Sequence, residues 1–297
     1  MTDRTDSSAT TTAVETGSNS GIGRSAAVYL AAKGWTVYGT MRSLDKGDKL
    51  ASMADEAGVE VHPVVCDVAD DASVERAMAE ILDDAGRIDV LVNNAGIGGN
   101  AVMEECPIDL YADVMNVNLY GVVRCSQAVL PQMRERGSGT IVNVSSITGR
   151  FAAIAQSPYV TSKWAVEGLS EGMAQELAPH GIRVVVIEPG IVRTAILAKN
   201  TDAPNESGAY DAHYRRLFDF YAKGLEAPGH PSEVAEIIYE AVTTDQYRLR
   251  WTCGWGGPEL SRMRAQVSDE DWVALGAIVD DGEYKAQFSE LFGLDIT

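Results

Sequence analysis

A chain of 297 residues with 45% hydrophobic content can bury a large core in one domain, while 43 acidic against 24 basic residues leave a formal net charge of −19. That surplus repels polyanions, so nucleic acid and anionic membrane surfaces are excluded as partners, and a small anion fits only where basic groups cluster. Four scattered cysteines (Cys66, Cys106, Cys125, Cys253), four dispersed histidines and no apolar run of the roughly 18 residues that span a bilayer point to a reduced, metal-free, cytoplasmic protein.

Residues 1–11 read as a disordered polar tail without the charged and apolar regions of a signal peptide. From Thr12 a short strand runs into Gly17-Ser-Asn-Ser-Gly21-Ile-Gly23, then a helical pattern from Arg24 to Lys33 closed by Gly34. Strand, glycine loop, helix is the order of a phosphate-binding turn: the glycines admit a phosphate close to the backbone, and free N–H groups at the helix start complement its charge. Strand-length apolar runs follow at 35–40, 59–66, 88–92, 140–145 and 183–187, alternating with amphipathic helices at about 45–57, 70–85, 107–136 and 158–178. Val184-Val185-Val186-Ile187 is apolar on both faces, as a parallel strand covered by helices on both sides must be. The pattern predicts an α/β fold, a doubly wound parallel sheet with helices on both faces, whose ligand crevice lies outside the carboxyl ends of the strands. One domain is expected over 12–255, with the alternation broken by a lid at about 195–230. A loop-rich and helical extension, 256–297, packs on it. The last helix of that extension sets Tyr284, Phe288, Leu291 and Phe292 on one face, for packing on the body or on a subunit partner.

Three stretches carry chemistry or conflict. Tyr159-Val-Thr-Ser-Lys163 sets a phenol and an ammonium four residues apart on one helix face. A cation there favours the ionised phenol, lowering a pKa that is about 10 in free tyrosine, as a tyrosine acid or base requires. Tyr210, His213, Tyr214, Leu217, Phe218 and Tyr221 share one helical stripe, which is either an aromatic lid over a bulky substrate or a helix packed on the sheet rim. His213 belongs to that packed stripe rather than to catalysis. Glu15 stands in the first strand where an apolar residue is expected; an unpaired buried carboxylate costs several kcal/mol, so partial solvation or a hydrogen bond near the strand end is expected.

Taken in order, the motifs resemble those of the short-chain dehydrogenase/reductase family: Thr16-Gly17-x-x-x-Gly21-x-Gly23, Asp67 after the third strand, Asn93-Asn94-Ala95-Gly96 after the fourth, Asn118 before Gly121, Ser146 before Gly149, Tyr159-x-x-x-Lys163, and Pro189-Gly190 with Thr194. The resemblance covers about 12–254 and implies a single Rossmann-type domain. It implies that Tyr159 exchanges a proton with a substrate carbonyl oxygen, that Lys163 lowers the phenol's pKa and binds the nicotinamide ribose, that Ser146 holds the carbonyl oxygen, and that Asn118 supports a proton-relay water. Cofactor contacts are implied for Gly17, Asn19, Ser20, Gly21, Ile22 and Gly23 at the pyrophosphate turn and for Asp67 and Val68 at the adenine. Asn94, Ala95 and Gly96 would face the adenosine side, and Tyr159, Lys163, Pro189, Gly190, Val192 and Thr194 the nicotinamide side. Asp67 reads almost as well as a helix cap. Met41 stands where NAD-type members carry Asp, and Arg42 follows it, with Lys46 nearby. A guanidinium suits a ribose phosphate, so NADP(H) is favoured over NAD(H). Substrate contacts are expected from Ile97, Thr148, Phe151, Ile196, Tyr210, Tyr214 and Phe218. The expected activity is interconversion of a ketone or aldehyde with a secondary or primary alcohol on a bulky apolar or aromatic substrate, of carbonyl reductase or alcohol dehydrogenase type, in a homodimer or homotetramer. A dehydratase or epimerase using the same Tyr–Ser pair, and a nucleotide-sensing protein without turnover, are the alternatives.

Overall fold

The computed structural model describes residues 10–199 and 203–296. Residues 1–9 of the expected tail, 200–202 of the lid and Thr297 lie outside the described residues. Seven parallel strands, β1 (Thr12–Thr16), β2 (Thr36–Met41), β3 (His62–Val65), β4 (Val90–Asn93), β5 (Gly139–Val144), β6 (Ile182–Pro189) and β7 (Arg250–Cys253), form one sheet in the order β3-β2-β1-β4-β5-β6-β7. The chain crosses from the edge back to the centre between β3 and β4, which leaves β1 flanked by β2 and β4 and opens a crevice at its carboxyl end. This is a Rossmann-type fold in a single domain.

Helices α1 (Gly21–Ala32), α2 (Asp48–Ala57), α3 (Asp71–Ala85), α4 (Ile108–Met115), α5 (Gly121–Arg136) and α6 (Ser157–Leu177) fill the crossovers. Successive strand residues feed opposite cores. Ala13 packs with Ala27 and Leu30 of α1 and with Val234 and Ile238 of α9 (Pro231–Thr243), whereas Val14 packs with Ile81 of α3 and Val129 of α5. The helix expected as one piece over 107–136 is interrupted at Asn116–Tyr120 by a π-helical turn, the wider form that often marks functional sites. Neither β7 nor α9 is among the elements the sequence pattern singles out; the four residues of β7, with two inward side chains, are too short to display a period.

Glu15 corrects an expectation. It has no exposed surface, it pairs in register with Gly39 of β2 and Val92 of β4, and neither carboxyl oxygen has a hydrogen-bond partner. Partial solvation fails because β1 is a central strand covered on both faces. Burial holds the Glu15 carboxyl well above the usual carboxylate range.

After β6 come α7 (Ala195–Lys199) and α8 (Asp211–Glu226), and after β7 come α10 (Gly257–Arg264), α11 (Asp269–Ala277) and α12 (Asp281–Phe292). Phe288 and Phe292 of α12 meet Phe151 with ring centroids 6.0 and 5.4 Å away, and Phe288 meets Phe220 of α8 at 6.1 Å. Arg215 and Arg216 of α8 both pair with Asp281, and Lys285 pairs with Asp219. The C-terminal helices therefore hold α8 against the body by aromatic packing and charge together.

Candidate active site

A cavity of about 660 Å³ opens at the carboxyl ends of β1 to β6. At one end the chain after β1 turns through Gly17 (φ +74°) and Gly21 (φ +52°), a backbone conformation that residues with a Cβ rarely adopt. A Cβ at Gly17 would sit 3.0 Å from Ala95 Cα, and one at Gly21 would sit 3.2 Å from Thr194 Cγ2, so the loops after β4 and β6 close on this turn. Gly23 lies behind the cavity wall; a Cβ there would meet the Asn94 amide and come within 2.7 Å of the Gly17 carbonyl oxygen. Asn94 stitches the turn to β1, its Nδ2 donating to the Thr16 carbonyl at 2.8 Å, while Thr16 Oγ1 accepts from the Asn94 and Ala95 backbone N–H groups at 2.9 and 3.0 Å.

Ser20 precedes α1 without a side-chain capping bond, so the first-turn N–H groups of that helix are left for whatever enters the cavity beside Asn19, Ser20, Gly21 and Ile22. Arg42 and Lys46 line the wall just past β2, next to Met41. Asp67 and Val68 line it past β3. Asp67 also accepts the Ala69 N–H at 3.0 Å, so it is a turn-former and a wall residue at once. Gly96, Pro189, Gly190, Val192 and Thr194 complete the lining from β4 and β6. A glycine cradle, an uncapped helix start and a basic pair further along fit a dinucleotide.

Ser146, Tyr159 and Lys163 line the same cavity. Ser146 follows β5, its hydroxyl donating to the Pro189 carbonyl at 3.4 Å and accepting the Thr148 N–H at 3.1 Å. Tyr159 and Lys163 come from α6, one turn apart. Lys163 Nζ donates to the Val144 carbonyl at 3.0 Å and stands 5.6 Å from the Tyr159 ring centroid. Burial pushes the Tyr159 phenol up to about 12, opposed by a hydrogen bond to Ser146. Burial lowers Lys163 to about 8, opposed by the Glu167 carboxylate one turn further along α6. Glu167 is itself paired with Arg250 at 2.9 Å. The expected lowering of the phenol by Lys163 is therefore absent from this geometry: the ammonium is turned to a backbone carbonyl, and desolvation dominates. Asn118 stands behind the wall, 1% exposed, in the π-helical turn. Its Oδ1 accepts from Ile97 N at 2.8 Å, and its Nδ2 donates to Ile97 O and to Ser162 Oγ, both at 3.0 Å, which ties the loop after β4 to the Tyr159 turn of α6.

Beyond Tyr159 the wall includes Ile97, Ile147, Thr148, Ile196, Leu197 and Phe220, with Gln156 and Tyr221 as polar members. Four expected substrate residues are not in it. Phe151 is 4% exposed, inside the aromatic cluster of the C-terminal helices. The Tyr210 hydroxyl bonds to Glu104, and the buried Tyr214 hydroxyl accepts from Val102 N and donates to the Pro204 carbonyl. Phe218 is 37% exposed on the outside of α8. The inward face of α8 takes in two members of the expected stripe, the buried Leu217 and Tyr221 on the cavity wall, together with Phe220 and Gly224, which lie outside that stripe. Its signal in the sequence is Gly224, a glycine inside a helix, where a Cβ would collide with Ile191 and come within 2.8 Å of the Trp255 ring. Among the described residues no group of three or more His, Cys, Asp or Glu could hold a metal, and no helix is long and apolar enough to cross a membrane.

A family model described as short chain dehydrogenase matches residues 11–205. The chain is 35% identical over 268 residues to 17-beta-hydroxysteroid dehydrogenase type 1 of Homo sapiens, covering 86% of this chain and 81% of that protein. A short-chain dehydrogenase from Streptomyces avermitilis superposes with a TM-score of 0.76 at 33% identity, over 91% of this chain and 99% of the other. An alcohol dehydrogenase from Thermococcus sibiricus complexed with 5-hydroxy-NADP superposes with a TM-score of 0.68 at 27% identity, over 82% and 96%. With the glycine turn, Ser146, Tyr159 and Lys163 gathered on one cavity of this fold, the chain belongs to the short-chain dehydrogenase/reductase family of oxidoreductases.

Proposed function

We propose that this protein is an NADP(H)-dependent carbonyl reductase or alcohol dehydrogenase, with Tyr159 as acid and base and with Ser146, Lys163 and Asn118 in support. The observation that carries the reading is the shared cavity: the phenol, hydroxyl and ammonium line the same space as the glycine turn and the Arg42–Lys46 pair. When bound, the nicotinamide supplies hydride to the carbonyl carbon or accepts it from the carbinol. Tyr159, protonated at neutral pH, gives its proton to the carbonyl oxygen, and Ser146, on the same cavity wall, turns its hydroxyl to donate to that oxygen as charge develops on it. Lys163 carries its charge at neutral pH and opposes the build-up of negative charge on the phenol as its proton leaves. Asn118 fixes the backbone of Ile97 and the start of α6, holding wall and acid in register.

Arg42 and Lys46 beside Met41 support a 2′-phosphate at the adenosine ribose, as does the NADP analogue named for the Thermococcus sibiricus structure. Ile97, Ile147, Ile196, Leu197 and Phe220 favour a bulky apolar or aromatic substrate, and the hydroxysteroid named for the human relative is of that kind. The test is reduction of a panel of aromatic, steroid-like and polyketide-like ketones, followed by loss of NADPH absorbance. Tyr159→Phe should lower the rate about 10²–10⁴-fold, and turnover that survives it would sink the mechanism. Arg42→Ala should weaken NADPH about tenfold or more and leave NADH unchanged; equal effects on both would remove the cofactor assignment.

A further inference from the structure

Three side chains from three elements meet at the cavity wall beside Tyr159. Gln156, 4% exposed, caps the start of α6; Asn100, 2% exposed, comes from the segment after β4; Tyr221 comes from α8. Gln156 Nε2 donates to Asn100 Oδ1 at 3.2 Å and to the Tyr221 hydroxyl, which in turn donates to Asn100 Oδ1 at 3.1 Å. A side-chain amide nitrogen carries two hydrogens, and both are committed here. The orientation of the amide is therefore set by its neighbours, and Oε1 faces away from them. Among the described residues no donor meets Gln156 Oε1, the atom is not fully enclosed, and Gln156 is part of the cavity wall.

The backbone is built to hold this side chain. Ala155, just before it, has φ +55°, the one non-glycine residue in the left-handed region among those described. That conformation is unfavourable for any residue with a Cβ and persists only where the surroundings impose it. Ala155 is buried with Val102, Tyr214 and Leu217. On its other side Gln156 forms a parallel bridge with Ala101, whose carbonyl accepts the Ser157 N–H at 3.0 Å. Strain, packing and a committed amide together leave one group to act on the cavity, a fixed hydrogen-bond acceptor three residues before Tyr159.

We propose that Gln156 Oε1 is a specificity determinant that receives a hydroxyl of the substrate, so that the preferred substrates are hydroxy ketones and the corresponding diols. Side chains three apart on a helix have Cβ atoms about 5–6 Å apart, which sets this hydroxyl within a few bonds of a carbonyl held by Tyr159. The assignment rests on the reductase reading, and the two are separable by experiment. Binding of 2-hydroxyacetophenone and 3-hydroxypropiophenone, each against its deoxy partner acetophenone or propiophenone, is measured by calorimetry on protein saturated with NADP⁺, with NADPH turnover followed in parallel. Each hydroxy ketone should bind about tenfold more tightly than its partner. Gln156→Leu and the like-sized Gln156→Met should bring the pairs to parity, whereas Gln156→Glu, which keeps an acceptor, should keep the preference. A merely structural staple of α8 would lower melting temperature in all three variants and leave the ratio alone. Parity in the parent protein, or a ratio unchanged in Gln156→Leu and Gln156→Met, overturns the proposal. A preference that is lost as stated while NADPH is not consumed upholds the recognition site and removes the reductase reading; turnover without preference does the reverse.

Discussion

Glu15 sets the largest conflict between a side chain and its surroundings. Its carboxyl is fully enclosed and unpartnered in the central strand, and such a group costs about 1–3 kcal/mol even when neutral. The charged form costs far more, so the folded protein keeps the proton. The unfolded chain releases that proton above about pH 4.3, the ordinary glutamate value. With the folded pKa raised, stability is at its fullest below that point and is lost as pH rises toward the folded pKa, by about 1.4 kcal/mol per pH unit. Glu15→Val should therefore melt above the parent, and the gap should widen between about pH 5 and about pH 8. Equal melting temperatures at both pH values would show that the strand accommodates the acid by some contact not seen here. Lys163 gives a second reading with pH. Its ammonium deprotonates near 8 in the free protein, so kcat/KM for NADPH should fall as pH passes that value. Glu167 is the carboxylate that raises Lys163, and Glu167→Gln should move this limb to lower pH. A limb that stays in place would exclude Lys163 as its source.

At the scale of elements, legibility followed the range of the interactions. The glycine turn and the Tyr159–Lys163 pair could be read in the chain because each is local, a strand-turn-helix unit and one turn of α6. The central strands β4, β5 and β6 were readable within a few residues because burial on both faces leaves largely apolar runs. The inward stripe of α8 was readable only in part, with Leu217 and Tyr221 on the expected face and Phe220 and Gly224 off it, because it depends on partners far along the chain: Glu104, Val102 and Pro204 take the Tyr210 and Tyr214 hydroxyls, while Phe220 and Tyr221 line the cavity. The C-terminal helices complete that positioning. Arg216, 4% exposed, donates to Asp281 at 2.8 Å and to the Ile278 and Val279 carbonyls at 2.8 and 3.1 Å, with its guanidinium 4.1 Å from the Tyr284 ring centroid. Lys285 and Asp219 join the same helices by a pair that is more open to solvent. Removing a buried charge that satisfies several acceptors costs much more than removing an exposed one. Arg216→Met should lower the free energy of urea unfolding by about 2–4 kcal/mol, and Lys285→Met by less than about 1 kcal/mol. Similar losses from the two would mean that aromatic packing alone, through Phe288 and Phe292, holds α8.

For the whole molecule, the net charge of −19 sets two effects of salt against each other. Salt weakens the ion pairs that join elements, such as Arg250 with Glu167 and Glu171, and it weakens the mutual repulsion of the acidic surplus. Exposed pairs contribute only about 0–1 kcal/mol each, and 43 acids against 24 bases leave most of the surplus without a partner in charge. Repulsion should therefore be the larger quantity, and the melting temperature should rise as NaCl goes from about 0.01 M to about 0.15 M, where the screening length shortens from about 30 Å to about 8 Å. A falling melting temperature would show that the ion-pair networks dominate. The cofactor adds a local exception to the same balance. A nicotinamide dinucleotide is an anion approaching a molecule of its own sign, and Arg42 and Lys46 are basic groups on the cavity wall that, on the proposed reading, reverse that sign locally. Added salt should thus ease the approach of NADPH to the Arg42→Ala variant more than to the parent, because the parent has the stronger attraction at the cleft to lose, the variant keeping only Lys46; the same salt response in both proteins would take Arg42 out of the encounter.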